Sequence, residues 1–323
     1  MPLVLDDFRM AMASIKPYIK KTSLIRCNEL EKQLNSSYRI FLKLESEQLT
    51  KSFKIRGAFN ALLALKDSEK TKGIITRSSG NFAQSVAYAG KFLGIKVTVV
   101  MPTNAPEIKK AETQKYGPSI VLAGVSHEEG DLMVEKLKLE TGAIQISPYN
   151  HLEVIKGQGT IALEIHEELP NIKHFFCPIG GGGLMSGCAA TLKLLNSNIE
   201  TIGIEPEGAN DYYLYRQKGH QVKLQTIKTI CDGLRATQVG ELNRPLLDQY
   251  VDVVSTVSDT SVIKAMKFLN ENCRFMVEPS GAAALAGLFE HSRLIKGDTV
   301  CVISGANITE NYFKELLKEG ATS

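Results

Sequence analysis

No Cys-x-x-Cys pair occurs in this 323-residue chain. Its six cysteines, at positions 27, 177, 188, 231, 273 and 301, are scattered through strand-like or helix-like contexts. They read as reduced core thiols rather than a disulfide frame. An uninterrupted run of about 18 apolar residues is also missing, so no membrane span is expected. The N-terminal Met1-Pro2-Leu3-Val4-Leu5-Asp6-Asp7 lacks the basic flank and long apolar stretch of a secretory signal. The net charge is only +3, without a basic stripe interleaved with aromatics, so nucleic acid is not an expected partner. The histidines (127, 151, 166, 174, 220, 291) form no His-Glu-x-x-His pattern, which removes the case for a catalytic zinc. Tracts of Pro, Gly or Ser long enough to be a linker are absent, as are internal repeats. With 43% hydrophobic and 23% charged residues, what remains is an ordinary globular balance and the expectation of a soluble cytoplasmic protein.

What is present is alternation. Strand-like runs at 73–76, 96–101, 119–122 and 143–146 are separated by helical patterns at 81–92, 106–116 and 128–140. A second series follows: strand 174–179, helix 184–195, strands 200–204 and 251–255, helices 259–272 and 281–290, and strand 298–303. Short continuous apolar runs between helices mark parallel sheets covered on both faces. The expected class is α/β, with two doubly wound parallel-sheet domains. The length suits two intimately joined cores. The smaller domain is expected over 73–150 and the larger over 1–72 together with 151–323, with a cleft between them.

Ile179-Gly180-Gly181-Gly182-Gly183-Leu184 follows a strand and opens a helix. Successive glycines expose unobstructed backbone N–H groups where the helix dipole is positive, which makes an anion site suited to phosphate. One reading is a dinucleotide turn, with Glu205 placed as a ribose-binding acid 22 residues past Gly183. The Gly-x-Gly-x-x-Gly pattern is not completed, however: its last position falls on Met185 or Ser186. A ligand-free tight turn is the bland alternative, and four glycines are entropically wasteful for that alone.

Thr50-Lys51-Ser52-Phe53-Lys54-Ile55-Arg56-Gly57-Ala58 precedes an apolar-periodic helix. The charges here could be a solvated helix start. Lys54, though, is flanked by Phe53 and Ile55, and a desolvated lysine loses its proton easily and becomes a nucleophile suited to Schiff-base chemistry. Ser78, Ser79, Gly80 and Asn81 lie between a strand and a helix, where hydroxyls and free N–H groups can cradle a small carboxylate. Ser304 ends a buried strand with a hydroxyl. An ordinary cap is the plain alternative for both.

Taken together, these segments resemble the fold-type II pyridoxal-phosphate enzymes, of tryptophan synthase β-like architecture, and in particular the serine racemase and serine/threonine dehydratase group. The resemblance spans roughly residues 10–315. Ser-Phe-Lys-Ile-Arg-Gly-Ala is similar to the cofactor-lysine motif, Ser-Ser-Gly-Asn to the substrate loop and Gly-Gly-Gly-Gly-Leu to the phosphate loop. Gly157-Gln158-Gly159-Thr160 and Glu278-Pro279-Ser280-Gly281 match in order and spacing. The resemblance implies that Lys54 carries the cofactor and later removes the substrate α-proton, and that Phe53 also contributes to cofactor binding. It also implies that Asn81 meets the ring hydroxyl, that Gly180, Gly181, Gly182, Gly183 and Leu184 hold the phosphate, and that Ser304 faces the pyridine nitrogen. A neutral hydroxyl there moderates the electron sink and suits loss of a β-hydroxyl. The reaction implied turns serine or threonine into a 2-oxo acid and ammonia.

Ser79 keeps a second outcome open. In racemases of the group a serine here faces the substrate opposite the lysine, so the alternatives are serine racemase, with side dehydratase activity, and 3-hydroxyaspartate dehydratase. Two departures stand out: Phe82 replaces a histidine common in relatives, and Tyr149 replaces an asparagine of the animal racemases. Resemblance further implies a divalent cation, Mg²⁺ or Ca²⁺, on Glu205, the carbonyl of Ala209 and Asp211, all hard oxygen ligands. It implies a homodimer, and it implies insensitivity to isoleucine, because one amphipathic helix (Tyr312, Phe313, Leu316, Leu317) follows the Ser304 strand in place of an effector domain.

Overall fold

The apolar runs assemble into two sheets. The computed structural model describes residues 3–319. Its strands are β1 (Leu24–Arg26), β2 (Ile40–Leu44), β3 (Ile74–Arg77), β4 (Val97–Met101), β5 (Ser119–Leu122), β6 (Ile144–Gln145), β7 (His174–Pro178), β8 (Glu200–Pro206), β9 (Val253–Val257) and β10 (Thr299–Ile303). Six form one sheet in the order β1-β2-β10-β7-β8-β9, and four form the other in the order β5-β4-β3-β6. All neighbours pair in parallel except β1, which runs antiparallel to β2. The expected α/β class with two parallel sheets therefore holds, with one antiparallel edge strand added. Such an edge is common on otherwise parallel sheets.

Burial follows the period of each element. Strands β7 and β10 are buried along their whole length. Helix Pro279–Glu290, rich in Ala and Gly, lies in the core of the larger sheet with Ile202, Ile204 and Ile303. Helix Lys54–Leu63 contributes Ile55, Ala58, Phe59, Ala61 and Leu62 to the core of the smaller sheet, beside Ile74, Val97 and Val99. The helix carrying Lys54 thus packs with one sheet, while the loop before it is tied to the other. All six cysteines are free, and five are buried. No helix among the described residues is long and apolar enough to cross a membrane.

Helix Leu152–Glu168 has no counterpart among the expected elements. Its interior Gly157 and Gly159 weaken any helical reading. They are there for close packing: a Cβ on Gly157 would lie 2.7 Å from the Arg56 carbonyl oxygen, and one on Gly159 would lie 2.4 Å from Phe8 Cδ1. The helix is therefore fixed by its neighbours, and it presses directly on the turn that begins the Lys54 helix.

Candidate active site

The glycine loop, the 78–81 loop and Ser304 follow the C-terminal ends of parallel strands β7, β3 and β10. Parallel sheets place their ligands at that end. They line one cleft of about 510 Å³ together with Phe53, Lys54, Phe82, Tyr149 and Glu278.

Lys54 opens its helix, and its position is set by a strap to β10. Phe53 N–H donates to the Ser304 carbonyl at 3.2 Å, Ala306 N–H donates to the Lys51 carbonyl at 2.8 Å, and the Asn307 amide donates to the Thr50 carbonyl at 2.9 Å. Lys51 takes φ +54° to make this turn. The Lys54 amine donates to the Pro148 carbonyl at 3.0 Å and lies 4.9 Å from the Phe53 ring centroid. Burial lowers it to about 8, and Glu278 partly opposes that shift. Two residues on, Arg56 is fully buried rather than solvated. It bonds both oxygens of Glu45 and both of Glu164 at 2.7–2.8 Å, and Lys43 joins Glu164 at 2.7 Å. Such complete pairing is what a buried guanidinium requires.

The glycine loop is shaped by close approach. Gly180 and Gly182 have φ +54° and +95°, open only to glycine at little cost. A Cβ on Gly181 would fall 2.4 Å from Tyr149 Cγ. The loop is clamped from below, where Asn243 donates to the carbonyls of Tyr149 (3.0 Å) and Gly181 (2.9 Å) and Gly240 N–H donates to Gly181. Helix Gly183–Leu195 starts there with its first N–H groups at the cleft. The arrangement can hold a phosphate.

Asn81 begins helix Asn81–Leu93. Its amide donates to Glu278 at 2.6 Å and its oxygen accepts from Asn307 at 2.7 Å, leaving one N–H unassigned. Glu278 is buried, and desolvation raises it to about 8, with Asp232 adding to the rise and Asn81 opposing it. Ser304 Oγ donates to the Ser280 carbonyl at 3.2 Å, a long bond that its rotatable hydroxyl can exchange for a partner in the cleft. Ser78 Oγ accepts from Gly80 N–H at 3.4 Å, while Ser79 Oγ has no partner among the described residues. Across the cleft mouth, Lys109 pairs with Asp232. Glu278, Asn243, Arg77, Lys109 and Asp232 were not singled out from the sequence as site residues. Only the Glu-Pro-Ser-Gly motif signalled one of them.

Glu205, Ala209 and Asp211 lie outside this cleft, at the end of β8. Glu205 Oε2 accepts from Tyr213 N–H at 2.7 Å and Asp211 Oδ2 from Val239 N–H at 2.6 Å. Their other oxygens, Oε1 and Oδ1, are buried without partners. Burial raises both acids, Asp211 to about 7. No group of three or more His, Cys, Asp or Glu side chains that could hold a metal occurs among the described residues, so any cation here would also need backbone oxygens.

Comparison with known proteins agrees with this geometry. The family described as "Pyridoxal-phosphate dependent enzyme" matches residues 15–305. The L-threo-3-hydroxyaspartate ammonia-lyase of Saccharomyces cerevisiae is 36% identical over 312 residues, 96% of this chain and 95% of the yeast protein. A catabolic L-threonine dehydratase of Staphylococcus aureus is 37% identical over 324 residues, covering 98% and 92%. The structure of maize serine racemase superposes with a TM-score of 0.93 at 35% identity, over 100% of this chain and 99% of that one.

Proposed function

The chain belongs to the pyridoxal-phosphate dependent enzymes, and from that premise we propose that it is an L-serine/L-threonine dehydratase, eliminating the β-hydroxyl to give a 2-oxo acid and ammonia. The observation that carries the reading is the enclosed Lys54 amine, lowered to about 8, in one cleft with a glycine loop fit for phosphate. The residues fit the cofactor: the loop N–H groups and the helix start suit its phosphate, Asn81 has an amide N–H to spare, and Ser304 presents a rotatable hydroxyl able to donate to a neutral ring nitrogen.

When bound, pyridoxal phosphate supplies an electron sink that weakens the α-C–H bond and lets a β-substituent depart. Lys54 is the group to hold the cofactor and then take the α-proton, because an amine titrating near 8 is partly free base at neutral pH. Phe53 walls its apolar side. Ser78, Ser79, Gly80 and Asn81 dock the substrate carboxylate on a helix N-terminus, where N–H groups and dipole favour an anion. The unpartnered Ser79 hydroxyl favours a second reading, serine racemisation, in which Ser79 returns a proton to the face opposite Lys54. A divalent cation on Glu205, the Ala209 carbonyl and Asp211 accounts for the two orphaned carboxylate oxygens.

Incubation with L-serine, L-threonine and L-threo-3-hydroxyaspartate, measuring oxo-acid release and D-serine together, tests both readings. Oxo acid is the expected main product. Ser79→Ala is expected to remove any D-serine while oxo-acid release from L-serine stays measurable. Absence of oxo acid from all three substrates with fully loaded enzyme sinks the dehydratase.

A further inference from the structure

Arg77 ends β3, immediately before the 78–81 cradle, and its side chain lies across Gly130: a Cβ on that glycine would meet Arg77 Cδ at 2.6 Å. Both residues line the cleft. The absence of a side chain at 130 is therefore what lets the arginine lie along this wall. Its Nε pairs with Asp131 Oδ1 at 2.7 Å, and the arginine side chain keeps 26% exposure. Neither Nη1 nor Nη2 makes a hydrogen bond among the described residues. Three other cations line the cleft, and each is engaged. Lys54 is bound to the Pro148 carbonyl, Lys109 to Asp232, and Arg235 folds Nε and Nη2 back on the Thr229 carbonyl. Arg77 is thus the cation with an open pair of terminal nitrogens beside the cradle. Its charge reaches as far as Tyr149 beneath the glycine loop, where it opposes the rise that burial imposes on the phenol.

We propose that Arg77 receives the side-chain carboxylate of a dicarboxylic hydroxy amino acid, of the 3-hydroxyaspartate class, and so determines specificity in this cleft. The inference rests on the hydroxy-amino-acid reading above. A planar guanidinium fork matches a carboxylate bidentately. Only two carbons separate the two carboxylates of such a substrate, which suits one anchored on residues 78–81 and the other on the residue just before them. Serine and threonine carry no second carboxylate, so they do not draw on this contact. Asp131, more exposed at 58%, is the counter-ion the substrate must compete with.

The test compares kcat/KM for L-threo-3-hydroxyaspartate and L-serine in wild-type, Arg77→Met and Asp131→Asn holoenzyme, with succinate binding followed by calorimetry. The hydroxyaspartate-to-serine ratio is expected to fall about tenfold or more in Arg77→Met, with a similar weakening of succinate, as for loss of a charge-assisted contact. Asp131→Asn is expected to raise the ratio, a gain that misfolding cannot imitate. An unchanged ratio in both variants overturns the proposal. So does an equal loss on both substrates accompanied by weaker pyridoxal phosphate binding, which assigns Arg77 to the cofactor instead. If the wild-type enzyme turns over neither substrate but succinate binding still depends on Arg77, the carboxylate site stands and the dehydratase reading fails.

Discussion

The side-chain amide of Asn81 donates to Glu278 Oε1 at 2.6 Å. One residue starts a helix beside the smaller sheet, and the other is the N-cap of helix Pro279–Glu290 in the core of the larger. Asn307 completes the chain from the far side. A polar contact thus spans the floor of the cleft and fixes which way the Asn81 amide points.

Glu278 gives the apoenzyme a pH-dependent stability. Its carboxyl titrates near 8 in the folded chain against an ordinary 4.5. The folded state therefore holds a proton that the unfolded state has released between those values, so this contribution is complete below about 4.5 and is lost as pH rises toward 8. The denaturation midpoint of apoenzyme is expected to fall across that window, and Glu278→Gln to make the decline shallower. Glu205 and Asp211, raised in the same direction, keep some slope in the variant. An identical slope in Glu278→Gln and wild type contradicts the assignment.

Lys54 sets the pH at which cofactor is taken up. Its amine must be uncharged to attack a carbonyl, and burial brings its titration from 10.5 to about 8. The rate of pyridoxal phosphate incorporation into apoenzyme, followed by the visible band of lysine-bound cofactor, is expected to reach half its maximum near 8. Because Glu278 raises this amine, Glu278→Gln should move the midpoint lower. Lys54→Ala should develop no such band. A midpoint near 10 would mean that the amine is not desolvated.

The glycine loop, residues 78–81 and Ser304 stood out as candidates because each is contiguous and sits at a strand end, where periodicity and residue type act together, while Lys54, at a helix start, was marked by its apolar neighbours Phe53 and Ile55. Arg56 was not. A charge two residues from Lys54 looks like a solvated helix start, and its partners Glu45 and Glu164 are 11 and 108 positions away. Helix Leu152–Glu168 was hidden for a related reason, since Gly157 and Gly159 answer to neighbours that local propensity does not see. Antiparallel β1 is three residues long and half-exposed, too short to show a period. Asn81 was found as a helix start, but its bond to Glu278, 197 residues on, exists only in the folded chain.

Arg56 is expected to be among the most costly side chains to remove outside the cleft. With Lys43 it neutralises Glu45 and Glu164 inside the protein. Arg56→Ala leaves buried carboxylates short of a partner, a change that typically costs about 3–5 kcal/mol. Arg56→Lys keeps the charge but not the fork, and should fall between the two. Chemical denaturation of the three proteins measures the order. Equal stability of Arg56→Ala and wild type would show that the network is relaxed by water.

Glu205 and Asp211 make opposite predictions with and without a divalent cation. Each has an oxygen buried with no partner, and burial raises both acids. In a chelator, then, the pair is a liability, and Glu205→Gln, which replaces a buried acid by a neutral isostere, should be at least as stable as wild type. With Mg²⁺ or Ca²⁺ the order should reverse, because a ligand bound only to the folded state adds about 2.7 kcal/mol at roughly a hundred times its Kd. Thermal melts of both proteins, in chelator and across a cation titration, read this directly. Wild type should rise with cation while Glu205→Gln stays flat. If wild type is also flat across the titration, the two carboxyls are protonated structural acids and the loop after β8 holds no metal.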